Sequence, residues 1–87
     1  MKTDNLVLYQ FEMCPYCRRV RDYLEKAGLD IKMKDTLQDP AVREELRQLG
    51  GKTQVPALLI DGEIMYESND IIAWLQENVV TNEPVSG

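Results

Sequence analysis

Between Asn5 and Lys34 the hydrophobic pattern changes period twice, and this constrains the fold of the 87-residue chain more than any other stretch. Asn5 to Gln10 contains the continuous apolar run Leu6-Val7-Leu8-Tyr9, as expected of a short strand covered on both faces. From Arg18 to Ala27, Val20, Tyr23, Leu24 and Ala27 recur at i, i+3, i+4 and i+7, the stripe of an amphipathic helix. Gly28 follows as its left-handed stop. Ile31-Lys32-Met33-Lys34 then alternates, which predicts a strand with one solvated face at a sheet edge. Strand, helix and strand within about thirty residues make a βαβ unit, so the two strands should run parallel through a right-handed crossover.

The remainder extends that unit. Asp39-Pro40 predicts a helix start, with Asp as cap and Pro at the first helical position, where its missing N–H is harmless. Val42, Leu46 and Leu49 are its expected core positions, and Gly50-Gly51 its stop. Val55 to Ile60 reads as a third strand, Asp61-Gly62 as a two-residue hairpin turn, and Ile64 to Tyr66 as a fourth strand. Ser68 is the expected cap of a last helix with Ile71, Ile72, Leu75 and Val79 buried and Trp74 alongside. The order is therefore β-α-β-α-β-β-α, an α/β fold in one domain over residues 1–80. Residues 81–87, polar and containing Pro84, read as a frayed tail.

The two cysteines of the chain stand at the first strand-to-helix junction, as Cys14-Pro15-Tyr16-Cys17. Residues three apart on a first helical turn share a face, with Cβ atoms about 5–6 Å apart. A disulfide can open and close there with small adjustment. Cys14 would sit at the helix N-terminus, where free N–H groups and the macrodipole favour an anion, and Cys17 one turn inside. This orders the pair, with Cys14 as nucleophile and Cys17 as resolving thiol. Glu12 opposes an anion at Cys14 and Arg18 favours one, both screened by solvent.

Other readings of the pair are narrower. A zinc site needs four ligands, and two cysteines without histidine could supply one only between molecules, so no metal ligands are expected. A structural disulfide across so short a span would constrain little chain entropy. An iron–sulfur cluster shared by two chains stays open. The absence of histidine also removes His-based acid–base chemistry and Cys–His nucleophile pairs.

Charge and composition limit the partners. The net charge is −5; residues 1–34 carry seven Lys and Arg against five Asp and Glu, and residues 35–87 three against ten. That balance argues against nucleic acid and against an anionic membrane surface. Apolar runs such as Ala57–Ile60 are far too short to span a bilayer. Met1 to Asn5 is polar, and no apolar segment of a signal peptide follows. The expected location is the cytoplasm, where a lone cysteine pair is catalytic or metal-binding more often than structural. Val55-Pro56 is the second signal. Proline at the head of a strand frees the preceding residue's backbone from ladder pairing, so an extended peptide could pair with Val55.

Cys14-Pro15-Tyr16-Cys17 after Leu8-Tyr9, then Gln54-Val55-Pro56, then an acidic segment before the last helix, resemble the glutaredoxins of the thioredoxin superfamily. The likeness runs from about Leu6 to Glu77. It implies a four-stranded mixed sheet flanked by three helices, with Val55-Pro56 in the cis form beside Cys14. Two departures stand out. Phe11 occupies the place, three before the first cysteine, where many glutaredoxins carry Lys, which leaves Lys52 to hold the glycine carboxylate of glutathione. Tyr66-Glu67-Ser68-Asn69-Asp70 replaces the common Gly-Gly and Asp. Here Glu67-Ser68 resembles the Glu-Ser motif of glutathione-transferase N-terminal domains, which holds the γ-glutamyl group.

The resemblance thus implies a glutathione site made of Tyr16, Gln54, Val55, Pro56, Glu67 and Ser68. It implies a monomeric, glutathione-dependent dithiol oxidoreductase that reduces protein disulfides and protein–glutathione mixed disulfides. Glutathione would be co-substrate, with no permanently bound cofactor. Conjugating activity is not expected of a chain that carries both cysteines and ends where the transferases' helical domain begins. A redoxin fed by thioredoxin reductase and a cluster-binding dimer are the alternatives.

Overall fold

Seven elements follow the expected order in the computed structural model, which describes residues 5–79. They are β1 (Leu6–Gln10), α1 (Pro15–Ala27), β2 (Lys32–Asp35), α2 (Pro40–Gly50), β3 (Ala57–Ile60), β4 (Glu63–Tyr66) and α3 (Ser68–Asn78). The expected frayed tail, 81–87, lies outside the described residues. The strands form one mixed sheet in the order β2-β1-β3-β4. β1 runs parallel to β2, with Val7 opposite Lys32, and antiparallel to β3, with Tyr9 opposite Ala57. This is the thioredoxin-like arrangement, and β2 is an edge as its alternation predicts. Among the described residues no helix is long and apolar enough to cross a membrane.

Side chains alternate across β1 and build a core on each face of the sheet. Leu6 and Leu8 join Val20 and Leu24 of α1 and Ile71 and Leu75 of α3. Tyr9 joins Ala57 and Leu46 of α2 on the other face. Each fully buried side chain of leucine size contributes about 1.5–3 kcal/mol, so the chain's stability is spread over both layers.

Local chemistry fixes the connections. Gly28 (φ 70°) donates to Glu25 O at 3.2 Å and Leu29 N–H to Leu24 O at 2.9 Å, which satisfies two orphan carbonyls of α1. The Asp39 carboxylate accepts from Ala41 N–H at 3.0 Å and caps α2. Asp61 (φ 49°) and Gly62 (φ 88°) form the hairpin turn with both central residues left-handed.

Four expectations are corrected. β2 begins at Lys32, where pairing with Val7 of β1 starts, and Ile31 is buried just before it. β3 begins at Ala57, because Pro56 has no N–H for the ladder and the Val55–Pro56 segment runs outside the sheet. Leu49 is 42% exposed, because α2 presents Gly50 to β4 in its last turn, and Gly51 (φ 86°) is the actual stop. Ser68 is the first residue of α3 and not its cap; Glu67 holds the cap position without a side-chain cap bond.

Candidate active site

The thiol loop leaves the end of β1 and turns into α1 through a hydrogen bond from Cys14 N–H to Phe11 O, 3.3 Å. Cys14 caps α1, its sulfur accepting the Cys17 N–H at 3.3 Å, with Pro15 at the first helical position. One orphan donor of the helix is thus aimed at the Cys14 sulfur. On the other side the Cys14 thiol faces the Val55 carbonyl, 4.0 Å away. Both thiols are free. Cys14 keeps 7% of its surface exposed and Cys17 none, so a substrate reaches the first sulfur and not the second.

The Cys17 thiol is pushed up to about 12, first by burial and then by its hydrogen bond with Cys14. A hydrogen bond from the Phe11 backbone and the charge of Arg21 act in the opposite sense. Arg18, the expected cation beside Cys14, turns along the helix to Asp22 at 3.8 Å. The arginine that reaches the loop is Arg21, which donates to the Gln10 side-chain oxygen, to Phe11 O at 3.3 Å and to Glu12 O at 3.1 Å.

A cleft of about 480 Å³ opens beside this loop, and Tyr16, Gln54, Val55, Pro56, Glu67 and Ser68 all line it. The Val55–Pro56 peptide is cis. Gln54 Nε2 donates to Glu67 Oε2 at 2.8 Å, which fixes the carboxylate over the start of α3. Glu67 has φ 76°, a conformation sparsely populated by residues with a side chain and found mostly where a site demands it. Ser68 is buried at the first turn of α3, whose N–H groups and dipole favour an anion.

Two lining residues escaped the sequence reading, Arg19 and Asn69. Arg19 follows Tyr16 by three on the helix, a spacing that could have placed it. Lys52 does not line the cleft: its Nζ sits 4.7 Å from the Tyr66 ring centroid, and its backbone N–H and carbonyl both bond the Tyr66 hydroxyl. Phe11 lines a separate cleft of about 420 Å³ with Leu37, Pro40, Arg43 and Thr53.

Similarity to known proteins agrees with this geometry. Residues 8–83 match the glutathione S-transferase N-terminal-domain family. Glutaredoxin 3 of Escherichia coli (strain K12) is 32% identical over 69 residues, 79% of this chain and 83% of that protein. A glutaredoxin-like 8.6 kDa protein in the rubredoxin operon of Clostridium pasteurianum is 32% identical over 62 residues, 71% of this chain and 83% of its own. Among solved structures, glutathione transferase Omega 3C from Trametes versicolor superposes with a TM-score of 0.79 at 28% identity, covering 93% of this chain and 36% of that one. The chain spans about a third of the length of that transferase and of an epsilon-class transferase from the housefly.

Proposed function

This chain belongs to the glutaredoxin family of the thioredoxin superfamily and has that superfamily's oxidoreductase role, and from that premise we propose that it is a glutathione-dependent dithiol oxidoreductase. The observation that carries the reading is the single cleft shared by the thiol loop, the Val55–Pro56 segment and the start of α3. Glutathione lies along it as co-substrate. Its cysteinyl backbone pairs with Val55, its γ-glutamyl carboxylate meets the N-terminus of α3 at Ser68, and its ammonium meets Glu67. Arg19, on the same rim, faces a carboxylate of the bound tripeptide. Tyr16 and Pro56 form apolar walls.

The Cys14 thiolate attacks the glutathione sulfur of a protein–glutathione mixed disulfide. A Cys14–glutathione disulfide forms, and the protein thiolate leaves and takes a proton from solvent. A second glutathione thiolate then attacks that adduct, producing glutathione disulfide and restoring Cys14. With a protein disulfide, Cys14 forms a mixed disulfide with the protein. Cys17 closes on Cys14 to release the second protein thiol, and two glutathiones reduce the Cys14–Cys17 bond. Residues 1–80 suffice as the redox domain, one copy is enough, and a reducing compartment such as the cytoplasm suits the pair.

The test is glutathione-coupled turnover of a glutathionylated peptide and of a protein disulfide. Cys14→Ser is expected to abolish both, and Cys17→Ser to keep the first and lose the second. Turnover supported by thioredoxin reductase but not by glutathione would overturn the reading.

A further inference from the structure

Cys14, Cys17 and Arg21 are spaced by three and four along the start of α1 and share one face of it. From that face the Arg21 guanidinium reaches three acceptors upstream of the helix: the side-chain oxygen of Gln10 and the carbonyls of Phe11 and Glu12. Gln10 is buried at the end of β1, and the Phe11 carbonyl also receives the Cys14 N–H. One planar fork therefore ties the end of the central strand, the strap across the thiols and the helix that carries them. A guanidinium can do this because its donors are rigidly splayed, and a lysine ammonium cannot match them at once. The fork sits one turn from a thiol that is fully buried and yet must become a nucleophile.

We infer that Arg21 is a positioning residue for the resolving thiol: it holds the Phe11 peptide against Cys17 and sets a positive charge beside that sulfur, preparing it to attack the Cys14 mixed disulfide. The inference rests on the dithiol reading given above. In the step, the Cys17 thiolate attacks Cys14 Sγ, and the bond from Cys14 to the substrate sulfur breaks. Cys17 is oxidised into the Cys14–Cys17 disulfide, and the leaving thiolate is reduced and takes up a proton. Once Cys14 is bound in a disulfide it carries no negative charge. Burial of Cys17 is then opposed by the Phe11 backbone and Arg21, the two influences that favour its anion. The guanidinium supplies the second directly and braces the backbone that carries the first through its bonds to Gln10 and Phe11.

An opposite charge beside an ionisable group shifts it by about one unit at the low end of such effects. Losing it lowers the thiolate fraction roughly tenfold. The more basic thiolate is the better nucleophile, with a Brønsted coefficient of about 0.4–0.5, which returns about threefold. Closure should therefore slow roughly three- to fourfold at neutral pH.

The experiment adds one equivalent of oxidised glutathione to the reduced full chain. Acid-quench mass spectrometry then follows conversion of the Cys14–glutathione adduct to the Cys14–Cys17 disulfide between pH 6 and 9, in wild type, Arg21→Gln and Arg21→Lys. The expected result is roughly three- to fourfold slower closure in Arg21→Gln, the same at every pH in this range because the Cys17 thiol stays mostly protonated below about 12, and a smaller deficit in Arg21→Lys, which keeps the charge. Closure of Arg21→Gln at the wild-type rate, or a deficit in Arg21→Lys as large as that in Arg21→Gln, overturns the inference and leaves the dithiol reading intact. An adduct that never closes in wild type overturns the dithiol reading itself. Should Arg21→Gln fail to fold, Arg21→Lys decides alone, and wild-type closure there overturns the role of the fork.

Discussion

A Gly→Ala change in a helix ordinarily stabilises a protein by about 1 kcal/mol, and at Gly50 the sign should reverse. Gly50 is the last residue of α2, where a Cβ would run into the Tyr66 hydroxyl and lie 3.0 Å from Tyr66 Cζ and 3.1 Å from Ile64 Cβ. The tyrosine cannot easily step aside, because its hydroxyl donates to Lys52 O at 3.0 Å and accepts from Lys52 N–H at 3.3 Å. Displacing it gives up hydrogen bonds of about 1 kcal/mol each, and overpacking adds about 1–3 kcal/mol. After the helix-propensity gain, Gly50→Ala should lose about 2–4 kcal/mol, or roughly 10–30 °C in Tm for a domain of this size. Denaturant and thermal unfolding measure it. The double variant Gly50→Ala/Tyr66→Phe, which removes the atom most in the way, should recover part of the loss beyond the sum of the singles. Because Tyr66 directly precedes Glu67, Gly50→Ala should also raise the KM for glutathione. A Gly50→Ala protein as stable as wild type would refute the argument outright.

Three further outcomes are expected. Tyr9 is buried with its hydroxyl on Glu45, which also pairs with Lys34 at 2.8 Å, so Tyr9→Phe should cost roughly 1–2 kcal/mol at pH 7 by chemical denaturation. Burial and then Glu45 push the Tyr9 phenol well above its ordinary 10.0. Above that pH the unfolded chain releases a proton the folded chain keeps, so wild-type stability falls with rising pH, and Tyr9→Phe should flatten that fall. Glu67→Gly relieves the φ of 76° and should gain up to about 1 kcal/mol in stability while raising the KM for glutathione; a fall in both Tm and KM would contradict this. Arg19→Ala should raise the KM for glutathionylated peptide roughly two- to fivefold at low salt and less at high salt, as an exposed charge contact worth about 0.2–1 kcal/mol requires.

The elements most legible in the sequence are those whose signals are local. The i, i+3, i+4, i+7 stripe of α1, the Asp39-Pro40 start of α2 and the Asp61-Gly62 turn each depend on residues close in the chain. The cleft was legible through the likeness of Gln54-Val55-Pro56 and Glu67-Ser68 to a family pattern, and all six expected residues line it. What escaped is tertiary. Leu49 fits the apolar period, yet the approach of β4 to Gly50 leaves it outside. Nothing in the letters around Glu67 announces a positive φ, since a glycine or asparagine would be the usual sign. The role of Arg21 has no local signature, because its acceptors, Gln10 at the end of β1 and the carbonyls of Phe11 and Glu12, are brought to it by the fold.

The position of β1 bears on when the site comes into being. Its pairing with β2 closes over a single helix, whereas its pairing with β3, which sets Tyr9 opposite Ala57, joins segments far apart in the chain. The β3–β4 hairpin forms within about 1–10 μs once its residues are free to meet, but docking it on β1 needs the long closure. Only then does Val55 face Cys14. A chain still emerging from the ribosome has made both cysteines before it has made the cleft that directs them. Its thiols are then open to any oxidant, with no cleft to choose among them. Pulse alkylation during refolding should therefore find Cys17 protected no earlier than the hairpin docks.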